Sequence, residues 1–317
     1  MDKKKKRWVI GAIILLCIVF AVFLQPSHPA KKAVSTGDSY VAVIRVEGPI
    51  VGAADMPSNL FSGGTTASSG RLMKEIRQAA ADPAAKAVLL RINSPGGSAT
   101  ASQEIGDEID RLKASGKPVV VSMGDMCASG GYWLAAKGDR VFANPSSMTG
   151  SIGVYIGYTN YEELMGKLGI NNDKIKSGAH KDILSPDRPM TPEERALVQG
   201  MVDDIYEQFV DVVATGRQME PQQVRELADG RIFTGRQAQA AGLVDAMGNY
   251  YDALDYTADL VGLPTTDVPT REYGDDSVSW QRLFGAELRG AFRESIGSLA
   301  RREGLNARTE WEAPHAQ

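Results

Sequence analysis

Apolar residues gather into short, nearly continuous runs separated by stretches with helical spacing. Residues 87–93 (Ala-Val-Leu-Leu-Arg-Ile-Asn) and 119–123 (Val-Val-Val-Ser-Met) have the length and composition of strands buried on both faces. Residues 40–48 (Tyr-Val-Ala-Val-Ile-Arg-Val-Glu-Gly) form a first strand of the same kind. Between them, Leu72, Ile76 and Ala79/Ala80 mark one face of a helix over 71–81, and helices are predicted over 101–114 and 129–137. Short strands are predicted at 140–143 and 151–155. Further helices are predicted at 161–168, 191–215 (with Pro192 in the first turn), 221–228, 235–241 and 250–261. Residues 50–69 and 171–192 read as loops, the first rich in Gly, Ser and Thr and the second polar. Repeated strand–helix alternation with Val/Leu/Ile strands predicts an α/β fold with a mostly parallel sheet and flanking helices.

The ends of the chain follow other patterns. Lys3-Lys4-Lys5-Lys6-Arg7 precedes an uninterrupted apolar run from Trp8 to Leu24, just long enough for a membrane-spanning helix. The basic cluster keeps its side cytoplasmic and places the bulk of the chain outside. No small-x-small site closely follows the run, so an uncleaved anchor is favoured over a cleaved signal peptide. Leu16 before Cys17 argues against a lipoprotein box. The expected organisation is therefore an anchor at 1–25, a Pro/Ser/Lys/Ala-rich linker at 26–39, a catalytic domain at 40–262 and a C-terminal extension at 263–317. Within that extension Trp280, Phe284, Leu288, Phe292 and Ile296 recur every four residues on an amphipathic helix, before a disordered tail.

The formal net charge of −4 hides an asymmetry, because the first 37 residues hold seven Lys/Arg against one Asp. The remainder carries 28 Lys/Arg against 38 Asp/Glu, which argues against nucleic acid as a partner. Two cysteines, Cys17 and Cys127, supply neither a disulfide framework nor a zinc site. No glycine-rich phosphate loop follows a strand, so nucleotide binding has no support.

Candidate chemistry sits where two strands hand over to helices. The second strand-to-helix turn carries Ser129 within Cys127-Ala128-Ser129-Gly130-Gly131, and the first carries Ser94-Pro95-Gly96-Gly97-Ser98. A serine at a helix start lies among unpaired N–H groups that favour developing negative charge, and the second glycine turn can add another donor. Cys127 stands where the Gly-x-Ser-x-Gly elbow requires glycine, so that motif is absent. Two side chains compete as base. His180 offers an imidazole, a side-chain type suited to proton transfer near neutral pH, whereas a lysine such as Lys181 must lose its proton from a reference value of about 10.4, at about 4–5 kcal/mol. Residue chemistry alone leaves both open.

Four stretches carry a resemblance to the signal peptide peptidase A (SppA) family, in its short single-copy bacterial form. They are Asn93–Gly97, Asp125–Tyr132, Thr149–Val154 and Ser177–Asp182, and their order and spacing match across roughly residues 40–260. The resemblance implies a Clp-protease/crotonase-like fold and a serine endopeptidase with a Ser–Lys dyad. Ser129 is then the nucleophile, Lys181 the general base, and Ser151 the hydroxyl that hydrogen-bonds the lysine. Gly96 or Gly97, together with Gly130, would supply the oxyanion-hole N–H groups. The resemblance further implies no metal or organic cofactor, signal-peptide substrates, and a homo-oligomeric ring, an octamer, in which one subunit's lysine completes its neighbour's dyad. Two alternatives remain in view. A crotonase-type acyl-CoA enzyme shares the fold without needing Ser129 or Lys181, and a non-catalytic membrane-tethered scaffold needs neither.

Overall fold

The computed structural model describes residues 38–52 and 66–274. Both the apolar run 8–24 and the amphipathic stretch 279–301 lie outside them. Among the described residues no helix is long and apolar enough to cross a membrane.

Strands β1 (Tyr40–Glu47), β4 (Ala85–Ser94) and β5 (Val119–Ala128) form the centre of the main sheet. Short β2 (Ile50–Val51) and β3 (Ala67–Ser68) pair with each other beside it. The central register is parallel, with Val43 opposite Leu89 and Leu89 opposite Val120. β6 (Arg140–Ala143) and β9 (Ala246–Met247) extend the sheet on one side and β10 (Thr270–Tyr273) on the other, giving the order β10-β1-β4-β5-β6-β9. All of these pairings are parallel. β7 (Met148–Gly150) pairs with the far end of β5, and β8 (Ile232–Thr234) joins it antiparallel.

Continuous apolar strands need cover on both faces, and helices supply it. Val41, Val43, Leu89 and Val120 pack against Ala253, Leu254 and Ala258 of α8 (Tyr250–Leu260). The alternate residues Ala42, Ile44, Val88 and Leu90 are equally buried on the opposite face. There α1 (Ser69–Ala81) contributes Leu72 and Ile76, and α2 (Ala99–Ala114) contributes Ile105, Ile109 and Leu112. A seven-residue helix, α3 (Gly130–Ala136), follows β5, and all seven of its residues are buried. After the short α4 (Glu162–Lys167), α5 (Pro192–Arg217) packs on α3 through Phe209 and Trp133, whose ring centroids are 5.0 Å apart. The chain then passes through α6 (Pro221–Leu227), β8 and α7 (Gly235–Ala240).

Several elements depart from the periodicity reading. β5 runs five residues past Met123, because the small and polar residues Gly124–Ala128 pair with β4 and β7 without an apolar run to announce them. Residues 151–155 do not pair as a strand; beyond Ile152 they make no backbone hydrogen bond among the described residues. The sheet continues past Gly262, since Thr270–Tyr273 forms an edge strand on β1. It is held there by the Tyr40 and Tyr273 hydroxyls, 2.9 Å apart, and by Arg45 with Glu272 at 3.0 Å. Short β8 and β9, at three and two residues, were below what periodicity can register.

The C-terminal end of α5 is tied to the sheet by one forked ion pair. Arg217 meets Asp245 at 2.6 and 3.0 Å with only 7% of its side chain exposed, and the same carboxylate accepts the Val141 N–H at 2.7 Å. Burial opposes ionisation of Asp245, but Arg217 outweighs it and holds the carboxyl below its ordinary value. Replacing Arg217 with Met leaves that carboxylate without its counter-charge. The expected cost, reduced because Asp245 is partly exposed, is about 2 kcal/mol, or a fall in melting temperature of roughly 4–8 °C. A depressed carboxyl stabilises the fold above its unfolded value near 4, and this contribution disappears as pH falls through the folded value. Melting scans should therefore show a large wild-type advantage at pH 7 that narrows at pH 3.

Candidate active site

Ser129 sits at the elbow between β5 and α3, with φ 52° and ψ −123°. A non-glycine residue in this region is strained by about 1–3 kcal/mol and needs its surroundings to hold it. Its N–H donates to the Gly150 carbonyl at 2.8 Å, and its own carbonyl accepts the Trp133 N–H at 2.9 Å. The first bond ties it to β7 and the second starts α3, leaving the half-buried side chain at the wall of a cleft of about 880 Å³.

The turn after β4 lies directly against this elbow. A Cβ on Gly96 (φ 91°) would stand 2.6 Å from the Gly130 nitrogen and 2.8 Å from the Ser129 Cβ. A Cβ on Gly97 would meet the Ile50 carbonyl oxygen at 2.1 Å. Only glycine at both positions lets the two turns close on each other. Ile50 pins the loop by donating to the Gly96 carbonyl at 2.8 Å and accepting the Ser98 N–H at 2.9 Å. The Gly96 N–H is occupied, because it donates to the buried Ser94 Oγ at 3.1 Å. The N–H groups of Gly97 and Gly130 have no acceptor among the described residues, and the two glycines approach closely, with the Cβ position of Gly130 lying 3.4 Å from the Gly97 nitrogen. Of the two donors the sequence left open, Gly97 is thus the one with its proton free. Backbone donors fixed in this way can stabilise an oxyanion at no reorganisation cost.

Ser151 lines the same cleft. It too has a positive φ, 49°, and its N–H is tied to the Arg231 carbonyl at 2.8 Å. The cleft wall also includes Val154, Tyr155, Val202, Asp203 and Tyr206. The three from α5 were missed by sequence reasoning, since on a long amphipathic helix an aspartate and a tyrosine look like a solvated face. Cys127, two residues from Ser129, is fully buried, and its thiol makes a 3.4 Å contact with the Gly131 carbonyl. Burial pushes that thiol far above its ordinary value, which removes it as a rival nucleophile.

Neither proposed base lines the cleft within one protomer. Lys181 is exposed on a turn closed by its own N–H to the Gly178 carbonyl at 3.3 Å. The polar stretch that carries it is organised by ion pairs. Asp182 is shared between Lys176 at 2.7 Å and Arg188 at 2.7 and 2.8 Å. Arg188 also forks onto Glu194 at 2.6 and 2.8 Å. Glu194 closes a capping box with Thr191 at the start of α5. Arg188 is the main reason the Asp182 carboxyl lies well below its ordinary range and Glu194 at about 2. His180 stands 3.7 and 3.9 Å from the Glu193 and Glu194 carboxylates, within this lattice.

Comparison with known proteins places this geometry. Residues 111–264 match the model of peptidase family S49, and residues 60–149 match that of Clp protease. Protease 4 of Salmonella typhi is 39% identical over 236 residues, covering 74% of this chain and 37% of that protein. The Enterococcus faecium protein named "Putative signal peptide peptidase SppA" is 37% identical over 273 residues, covering 85% of this chain and 78% of that protein. "Serine protease SPPA, chloroplastic" of Arabidopsis thaliana is 34% identical over 229 residues, covering 72% of this chain and 33% of that protein. The chain therefore spans about a third of the Salmonella and Arabidopsis relatives and most of the Enterococcus one. Ser129 falls within both matched spans, and the chain belongs to peptidase family S49, the serine protease family of SppA and Protease 4.

Proposed function

We propose that the chain is a membrane-anchored peptidase that cuts remnant signal peptides and other unfolded, membrane-associated peptides through a Ser129–Lys181 dyad. The observation that carries this reading is the Ser129 elbow closed against two free N–H donors, those of Gly97 and Gly130. Neutral Lys181 takes the proton of Ser129 Oγ, which attacks the scissile carbonyl. The oxyanion is received by Gly97 and Gly130, and collapse to the acyl-enzyme expels the amine, protonated by the same lysine. Water, activated by Lys181, then releases the acid. Ser151, on the same cleft wall, orients the amine.

A lysine acts as base only where burial favours its neutral form. On one protomer Lys181 is exposed and away from the cleft, so the missing burial is supplied by a second copy in a ring, an octamer by family resemblance. Exposed apolar side chains on the same arm, including Leu164, Leu168 and Ile175, suit such a contact. The unpaired backbone of 153–155 runs along the cleft and gives an extended peptide an edge to pair with, its alternate side chains entering the apolar wall. The apolar run 8–24 holds the ring at the membrane with its clefts outside, where signal-peptide remnants lie.

Ser129→Ala should lower peptide cleavage by at least about 10³-fold. Lys181→Ala and Lys181→Arg should do likewise, since arginine keeps its proton, whereas His180→Ala should retain most activity. Steady-state cleavage of a leucine- and alanine-rich signal peptide checks all four; loss on His180→Ala with survival of Lys181→Arg would assign the base to histidine. Substrate form gives a second test. A stable globular protein should resist digestion under conditions where its denatured form is cut, and equal rates on the two would rule out strand pairing in the cleft.

A further inference from the structure

Among the described residues the cleft beside Ser129 is lined by no lysine, arginine or histidine, but it is lined by two carboxylates, Asp203 and Asp229. They are not equivalent. Asp229 accepts the Arg231 N–H at 3.0 Å and its Nε at 2.8 Å, and Arg231 holds its carboxyl at about 2. Its charge is already met. Asp203 accepts one amide bond, from Gln199 Nε2 one turn back, at 2.7 Å on Oδ1. Its other oxygen has no partner among the described residues, and no cation pairs with it there. The same cleft carries apolar and aromatic side chains, Val202 and Tyr206 from the same helix and Val154 and Tyr155 from the unpaired edge.

We propose that Asp203 is a specificity-determining residue that makes the cleft select peptides carrying a lysine or arginine beside apolar residues. The long aliphatic stem of such a side chain lies along Val202 and Tyr206 while its head meets the unpaired carboxylate oxygen. Asp203 thereby discriminates against an acidic residue at the same position, which would face an uncompensated like charge. The preferred substrate is then an apolar peptide with a basic side chain close to the scissile bond rather than a purely apolar one. This rests on the cleft being the peptide site, as proposed above.

The test uses one apolar peptide in which each position around the scissile bond is in turn lysine, norleucine or glutamate. With the full-length protein in detergent, one position should show lysine over glutamate by about five-fold or more in kcat/KM, the upper end of what an exposed ion pair gives. Raising salt to 1 M should shrink that ratio. Asp203→Asn should bring the lysine-to-glutamate ratio close to one, and Asp203→Lys should invert it. Asp203 is exposed on the helix surface, so both variants are expected to fold. An unchanged ratio in Asp203→Asn overturns the proposal. So does an equal loss on all three peptides, which would place Asp203 in the framework or the assembly. Ser129→Ala in parallel separates the two readings: if norleucine-peptide cleavage survives it, the peptidase reading of the cleft fails, whatever the Asp203 ratios show.

Discussion

The contact between the Gly96–Gly97 turn and the Ser129–Gly130 peptide is the constraint on which the site depends. Two parallel strands, β4 and β5, end side by side, and their exits must cross within a few ångströms for backbone donors to converge beside a nucleophile. No side chain fits between them, as the 2.6 Å gap from a Gly96 Cβ to the Gly130 nitrogen shows. The sheet supplies the rigidity. β5 pairs with β4 on both sides of a register shift and with β7 beyond it, and the bond from Ser129 to Gly150 carries that pairing into the elbow itself. A strained φ at Ser129 persists because its surroundings over-determine it.

Beyond the elbow the chain changes character. Buried apolar strands give way to an arm, residues 153–191, with few buried side chains and many ionic ones. Asp182, Arg188 and Glu194 form a chain of forked pairs ending in the capping box of α5, so the turn displaying Lys181 is braced against the helix that also forms the cleft wall. In the reading we propose, Ser129 on the sheet and Lys181 on a braced, exposed arm would be complementary halves of one catalytic unit contributed by two copies. On that proposal activity would follow assembly, and a free protomer would be restrained from cutting peptides.

Periodicity made the central sheet legible because its strands are buried on both faces and therefore written in Val, Leu and Ile. The same rule failed at Gly124–Ala128 and at Thr270–Tyr273, where pairing rests on backbone bonds and edge contacts rather than on apolar side chains. At 151–155 the sequence shows a strand-like pattern, yet no strand pairs there in the single chain. Among site residues, Ser129 and the two glycine turns were readable because strand-to-helix exits are local. Choosing Gly97 over Gly96 was not, since it depends on where Ser94 Oγ lies across the turn. The contribution of α5 was equally hidden, for Val202, Asp203 and Tyr206 reach the cleft only through the tertiary packing of Phe209 on Trp133.

Subunit complementation tests the central claim, that the dyad is shared between copies, most directly. Ser129→Ala protein and Lys181→Ala protein, each inactive alone, are dissociated, mixed and reassembled, and mixed assembly is verified by differential mass labelling. Sharing predicts that signal-peptide cleavage returns to a fraction of the wild-type rate, because some interfaces join one intact serine to one intact lysine. Absence of any recovery in verified mixed assemblies would mean that each protomer builds its own site, and would contradict the coupling of assembly to catalysis.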